Sequence, residues 1–272
     1  MYDLNMKEIP FPDGVMPLDI FVSSVNKRRL TEEFEGRSGT LNYGYDYGER
    51  SVDLSLWLEA HDTIDYRLIR NELYAFFDTH DVFYIEETRV PSRVLKVTID
   101  ESYIPERINQ THSSVEISCR TLDSVFWESK YTTLELHDSG YSATAEKYGL
   151  VDNIDDEKVK YRFTESNFTV YNAGNVTVEP ESMTLNIIVN AVQSDNNFTI
   201  RNKTTGEEIV LKRASTGSHF RIQGMVISLG SITNIFRDTN RRFISLVPGD
   251  NQFEILNGTF SEIRFEFKFL YK

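Results

Sequence analysis

The side chains that most often carry chemistry are few and scattered in this chain. Five histidines, His61, His80, His112, His137 and His219, stand singly. No two share a helix face at i, i+4 and none has a cysteine neighbour, so a zinc site would need distant residues to converge. Cys119 is the one cysteine, which leaves no intramolecular disulfide. It falls on the apolar side of an alternating segment and reads as a small buried hydrophobe. Gly36-Arg37-Ser38-Gly39 lacks the Gly-x-Ser-x-Gly spacing that puts a serine on a strained turn. The run Asp152, Asp155, Asp156, Glu157 lacks the ligand order of a calcium loop and reads as a solvated acidic linker. Neither glycine-rich phosphate-cradling pattern occurs. A carboxylate pair for glycoside hydrolysis has no sequence signature, so that activity leaves no trace to read. The expectation is a protein without catalytic residues, cofactor or metal.

The elements that position these side chains are mostly strands. Val52, Leu54, Leu56 and Leu58 alternate with polar residues, as do Leu95, Val97 and Ile99, and then Val115, Ile117 and Cys119. Period two puts each apolar set on one face of a half-buried strand. Between the first two, from His61 to Phe77, the residues Tyr66, Ile69, Leu73, Phe76 and Phe77 recur at helical steps. They form one face packed on a sheet, with Asp62 or Thr63 as cap and Asp65 in the first turn. No other substantial helix is expected. The segment from Gly36 to Gly48 carries Gly36, Gly39, Gly44 and Gly48 with Tyr43, Tyr45 and Tyr47 between them. It predicts a long hairpin whose tyrosines, spaced by two, share one face and offer either a protein contact or a ribbon folded on its own sheet.

Periodicity lapses at 137–158, which is rich in Gly, Ser and Asp, so a boundary is placed near residue 130: a first domain at 1–130, a second at 131–272, with a polar linker near 137–158. The second domain reads as strands alone. Met183 to Val189, Phe220 and Ile222, Phe253 and Ile255, and Ile263 to Tyr271 alternate, punctuated by turns at Asn172-Ala-Gly-Asn, Lys203-Thr-Thr-Gly and Pro248-Gly-Asp-Asn. Gly174 is expected to supply a positive φ, and Pro248-Gly249 a tight turn. Such a run of short strands means a sandwich or jelly roll.

With 272 residues the chain has room for two domains, and 40% hydrophobic and 12% aromatic residues mark it as folded throughout. A net charge of −13, from 29 Lys and Arg against 42 Asp and Glu, argues against a grip on nucleic acid. The N-terminal residues show no basic segment followed by an apolar stretch, and no span of about 18 apolar residues occurs, so the expectation is synthesis in a cytoplasm without membrane insertion. Six Asn-x-Ser/Thr sequons, at Asn109, Asn167, Asn175, Asn197, Asn202 and Asn257, are read as chance in an Asn- and Thr-rich chain.

The order of segments resembles the distal tail protein family of long-tailed, non-contractile bacteriophages. In the first half the resemblance rests on Phe34-Glu-Gly-Arg-Ser-Gly-Thr, Arg50-Ser-Val-Asp-Leu-Ser-Leu-Trp-Leu, the helix Tyr66 to Phe77 and the strand after Pro91. In the second it rests on Val170 to Glu181 and Phe243 to Phe253, where the proline after Asn-x-Gly is displaced to Pro180. The resemblance implies a mainly β chain with an N-terminal ring-forming β domain carrying one helix and a C-terminal galectin-like β-sandwich. It further implies a structural protein of the virion, a homohexameric ring at the tail tip. Such a ring would join the tail tube protein to the tail-associated hub or lysin protein and carry receptor-binding or other peripheral baseplate proteins. Six-fold closure uses a heterologous interface, and Tyr43, Tyr45 and Tyr47 are the candidate patch. The acidic balance would then line a channel that lets DNA pass without sticking. Two other readings compete. A carbohydrate-binding module for host-wall adsorption would have to use Tyr and Phe, because Trp57 and Trp127 both precede the second domain. A tail-associated peptidase or lysin would need a catalytic domain.

Overall fold

The computed structural model describes residues 1–36, 38–139 and 156–272, and the chain divides into two compact units. The first comprises Met1–Thr88, Val94–Trp127 and Lys272; the second comprises Arg89–Arg93 and Glu128–Tyr271. Most of the stretch expected as a polar linker, with Asp152 and Asp155, lies outside the described residues; of its ends, 133–139 is helical and Asp156–Lys158 is a 3-10 turn.

In the first unit the strands are β1 (Val15–Val22), β2 (Asn26–Glu33), β3 (Thr40–Gly48), β4 (Ser51–Glu59), β5 (Val82–Glu87), β6 (Val90–Ile99, from Val94 in this unit), β7 (Glu106–Arg107) and β8 (His112–Thr121), with helix α1 (Asp65–Thr79) between β4 and β5. The main sheet runs β1-β4-β8-β6, with β5 on β6 and β7 on β8. Alternation sets its register. Val52 lies opposite Cys119, Leu54 opposite Ile117 and Leu56 opposite Val115, so the apolar face of β4 coincides with that of β8. All are buried and pack with Leu95, Val97, Phe83 and Ile85 into one core. Over that core lies α1, burying Tyr66, Ile69, Leu73 and Phe77. Phe76 sits at the margin, 5.6 Å from the ring of Phe11. The helix start is closed reciprocally: Asp62 Oδ1 accepts from the amides of Ile64 and Asp65, and Asp65 Oδ2 accepts from the amide of His61. These amide donors hold the Asp62 carboxyl below its usual pKa.

The second unit takes in Glu128 and Ser129 of β9 (Trp127–Ser129) and contains β10 (Arg162–Phe163), β11 (Asn167–Asn172), β12 (Leu185–Ser194), β13 (Phe198–Asn202), β14 (Glu207–Leu211), β15 (Ser215–Gln223), β16 (Val226–Leu229), β17 (Ile232–Thr233), β18 (Gly249–Leu256), β19 (Glu262–Phe267) and β20 (Leu270–Tyr271). A six-stranded sheet, β10-β19-β12-β15-β16-β17, faces a four-stranded one, β11-β18-β13-β14. The chain is mainly β, and this unit is a sandwich, as expected. Its two inner faces meet through phenylalanines: Phe253 lies 4.9 Å from Phe265, and Phe198 6.4 Å from Phe220, edge to face.

The expectation of strands alone is corrected by the helical turn at 133–139. It begins with a capping box, in which Thr132 Oγ1 accepts from the Glu135 amide and Glu135 Oε2 accepts from the Thr132 amide. The buried Thr133 hydroxyl then bonds the edge of β19, donating to the Phe265 carbonyl at 2.9 Å and accepting from the Phe267 amide at 3.1 Å.

The two stretches of this half that carry the family resemblance lie side by side. β11 pairs with β18, and Val178 bridges Leu246. Three buried asparagines stitch them together. Asn172 donates to the carbonyls of Val176 and Leu246, Asn202 to Ser245, and Asn251 both accepts from the Val247 amide and donates to the carbonyls of Val247 and Gly249. Gly249 has the positive φ, +88°, expected after Pro248. Gly174 does not lie in the left-handed region. Its requirement is space instead, since a Cβ there would meet the backbone N and O of Leu270 at 2.7 and 2.6 Å.

Candidate assembly surface of the first unit

β2 and β3 form a two-stranded sheet of their own. Every residue of β2 is exposed. Such a ribbon has no core beneath it, and an isolated two-stranded hairpin is marginally stable in water. Its tip turns through Gly36 and Gly39, both at positive φ (+81° and +90°). Its root is fastened to the body of the unit. Arg50, only 5% exposed, donates from Nε to the Ser23 carbonyl at 2.8 Å and from Nη1 to the Val125 carbonyl at 3.4 Å. Its amide donates to Thr121 Oγ1. Burial lowers the guanidinium's pKa, yet it stays charged, and among the described residues no carboxylate pairs with it. The charge is spent on two main-chain carbonyls that fix where the hairpin leaves the sheet.

The three candidate tyrosines do not share a face. The register between β2 and β3 slips between Arg29, opposite Tyr45, and Thr31, opposite Asn42, so Tyr43 and Gly44 together face Leu30. This is a β-bulge. Gly44 at φ +114° tolerates it, and the extra residue reverses the side-chain alternation beyond it. Tyr45 and Tyr47 stand with Lys27 on one face: Lys27 Nζ lies 4.6 Å over the Tyr45 ring, and the two tyrosine rings meet at 5.4 Å, edge to face. Tyr43 stands on the other, its hydroxyl donating to Glu32 at 3.0 Å. The three also differ in depth. Tyr43 is 61% exposed and Tyr45 43%, whereas Tyr47 is half-buried against Phe126 at 5.0 Å. Tyr47 is therefore an anchor of the root, and Tyr43 and Tyr45 are exposed on the ribbon.

Further apolar side chains of this unit face solvent. Met16, Leu18 and Phe21 are exposed on β1, the outermost strand beside β4, and Ile64 and Leu68 on α1. Leu30 and Phe34 are exposed on the hairpin. Beside the C-terminal end of α1 lies an open groove of about 730 Å³ lined by Tyr74, Phe77, Asp78, Asp81 and Ile99 to Tyr103. Burial pushes the Tyr103 hydroxyl up to about 12. Asp81 accepts from Thr98 and Asp100 pairs with Arg120 at 3.3 Å.

Among the described residues no three His, Cys, Asp or Glu side chains gather as a metal site. His112 bonds Asn109 and Thr111 in a local turn. Cys119 is 2% exposed, and burial raises its thiol to about 12, as expected of a structural residue. Arg50 was invisible to pattern reading, since a single arginine before a strand gives no periodic or motif signal.

Residues 14–119 match the model of the phage tail protein RIFT-related domain. Across 95% of both chains, the fold is similar to that of "SPP1 Dit (gp 19.1) Protein, a Paradigm of Hub Adsorption Apparatus in Gram-positive Infecting Phages", with a TM-score of 0.65 and 12% identity. A looser likeness, TM-score 0.40 and 12% identity over 94% of this chain and 90% of the other, links it to a chain of the phage p2 baseplate in its activated conformation. No curated protein matches the chain in sequence. The resemblance to distal tail proteins thus holds: the first unit carries the phage tail domain, and the whole chain has the distal tail fold. Among the described residues no helix is long and apolar enough to cross a membrane.

Proposed function

We propose that this chain is the hub subunit of a phage tail tip, a non-enzymatic structural protein of the virion that closes into a homohexameric ring. The observation that carries this reading is the rooted, wholly exposed hairpin on the unit that matches the phage tail domain. A ribbon without a core of its own is stabilised by whatever covers it, and a cyclic ring supplies that cover from the next subunit through a heterologous contact. Tyr43 and Tyr45 supply rigid aromatic area for such a contact at low entropic cost.

In this reading the first unit closes the ring and the second projects outward. The tail tube protein would sit on one side, the tail-associated hub or lysin protein on the other, with receptor-binding or other baseplate proteins at the periphery. Charge supports the division. The first unit holds 12 Lys and Arg against 23 Asp and Glu, and the second 17 against 19. Acid concentrated in the ring-forming unit would repel phosphates from a central channel, so that DNA passes without tight binding. A neutral-sugar platform finds less support, since among the described residues of the second unit the large apolar side chains that are exposed are Met225, Val226 and Ile232, none of them aromatic.

Replacing Tyr43 and Tyr45 together by serine tests the interface. Sedimentation velocity is expected to show the ring dissociating at concentrations where the parent chain holds it, with far-UV circular dichroism unchanged. A variant of unchanged hexamer mass would remove the hairpin from the interface.

A further inference from the structure

Two surfaces of the first unit, the hairpin and the groove beside α1, carry unmet charges of opposite sign. Lys27 and Arg29 lie opposite Tyr47 and Tyr45 in the register of β2 with β3, so two cations and two tyrosines share one face of the ribbon. Both cations are exposed. Of the run Lys27-Arg28-Arg29, Arg28 alone among the described residues reaches a carboxylate, Asp46 at 3.7 Å, and it does so on the opposite face. The ribbon thus shows a positive face on a unit of formal −11.

The groove has the reverse character. Asp78 and Glu101 line it and are exposed, and among the described residues neither pairs with a cation. Its other carboxylates are engaged, Asp100 by Arg120 and Asp81 by Thr98. Arg70, 5.9 Å over the Tyr74 ring, donates to Asn71 instead, and the His80 ring at the helix cap is turned onto Phe76 at 5.2 Å. Asp78 stands in the last turn of α1, which holds no lysine or arginine, so its charge adds to the negative end of the helix dipole. A cation from another chain would stabilise that end. The walls are aromatic: Tyr74 and Tyr103 meet edge to face at 5.6 Å, and Tyr103 meets Phe77 at 6.0 Å. Ring faces beside carboxylates suit ammonium and guanidinium groups.

We propose that the hairpin face bearing Lys27, Arg29 and Tyr45 docks in this groove on the next copy of the chain. A small polyamine would meet the charge of the groove but leave the two cations and the coreless ribbon bare, whereas a second copy meets both. The two surfaces belong to different elements, as a heterologous contact requires, so each copy offers a hairpin to one neighbour and a groove to the other. The copy number rests on the ring reading; the contact rests on charge and shape, and a two-fold pair can form it reciprocally.

The test is charge exchange in the full chain, read by native mass spectrometry and sedimentation velocity at micromolar concentration. Lys27→Glu/Arg29→Glu and Asp78→Lys/Glu101→Lys should each weaken self-association at least about tenfold, with far-UV circular dichroism unchanged, because like charges then face each other. Mixed in equal amounts, the two variants should assemble again, since each reversed hairpin finds a reversed groove and each parental hairpin a parental groove. In a ring the two kinds must then alternate, half of each. All four substitutions in one chain should restore association to within about threefold of the parent. Parental association of either variant, or failure to recover on mixing, would overturn the contact. Loss of spermidine binding by Asp78→Lys/Glu101→Lys, with self-association intact, would give the groove to a small cation instead. The ring reading fails separately: a six-subunit ring indifferent to all four substitutions removes this contact alone, whereas a pair of chains that obeys the exchange keeps the contact and removes the ring. A parent chain monomeric at this concentration removes the contact and leaves the ring to assembly on a tail partner.

Discussion

The two units of this chain solve opposite problems with similar strands. In the first, twelve large apolar side chains face solvent, among them Leu18, Phe21, Leu30, Tyr43 and Ile104, and the acid excess reaches a formal −11. Among the described residues of the second, Met225, Val226 and Ile232 alone are so exposed, and the balance is −2. Buried polar groups divide the other way. The sandwich closes its loops with Asn172, Asn202 and Asn251, whereas the first unit spends its buried cation, Arg50, on the root of a ribbon that has no core. A unit that satisfies itself can stand in solvent. One that leaves apolar surface and an unsupported hairpin outside offers the area that the proposed ring would cover.

The largest effect is expected where the sandwich is most self-sufficient. Phe265, fully buried between Phe253 and Phe163, should cost about 3–5 kcal/mol when replaced by alanine. Chemical denaturation followed by Trp57 and Trp127 fluorescence, both indoles belonging to the first unit, should report little change while far-UV circular dichroism reports early loss of the second unit. If both signals shift together, the units are one cooperative body and the contrast between them fails.

Arg50→Ala should cost about 2 kcal/mol, because hydrogen bonds from a charged donor are lost and two carbonyls are left unmet. Hydrogen exchange should localise the loosening to β2 and β3. Protection lost evenly over the first unit would mean that Arg50 supports the sheet rather than the hairpin.

A smaller effect is set by pH. The Cys119 thiol is raised by burial to about 12 from 9.0, so the folded state holds its proton more tightly than the unfolded one. Its contribution is therefore complete below about pH 9 and is lost as pH rises toward 12. Cys119→Ala should flatten the alkaline decline of the melting temperature relative to the parent. An identical alkaline slope in both proteins would contradict this. Smallest on stability is Tyr43→Ser, expected to leave the melting temperature unchanged within about 0.5 kcal/mol while weakening self-association.

Much of this contrast was readable from residue order alone. The alternation in β4, β6 and β8 and the helical spacing of Tyr66, Ile69, Leu73 and Phe77 report burial directly, because each period corresponds to one face. The hairpin followed from its glycines. What the tyrosine spacing could not report is the bulge at Tyr43-Gly44, since alternation holds only while the register with β2 does, and register is a property of two strands. The turn at 133–139 has its signal, Thr132-x-x-Glu135, but it borders the stretch at 137–158 that carries no periodicity to extend it. Gly174 was assigned a turn conformation when its need is clearance from Leu270, a residue far along the chain.

The central claim is that the first unit exists to be covered by copies of itself. Native mass spectrometry of the full chain at micromolar concentration tests it most directly. The account predicts a six-subunit ring, or a monomer that becomes one when a tail partner is added; a monomer that stays monomeric with those partners present would contradict it.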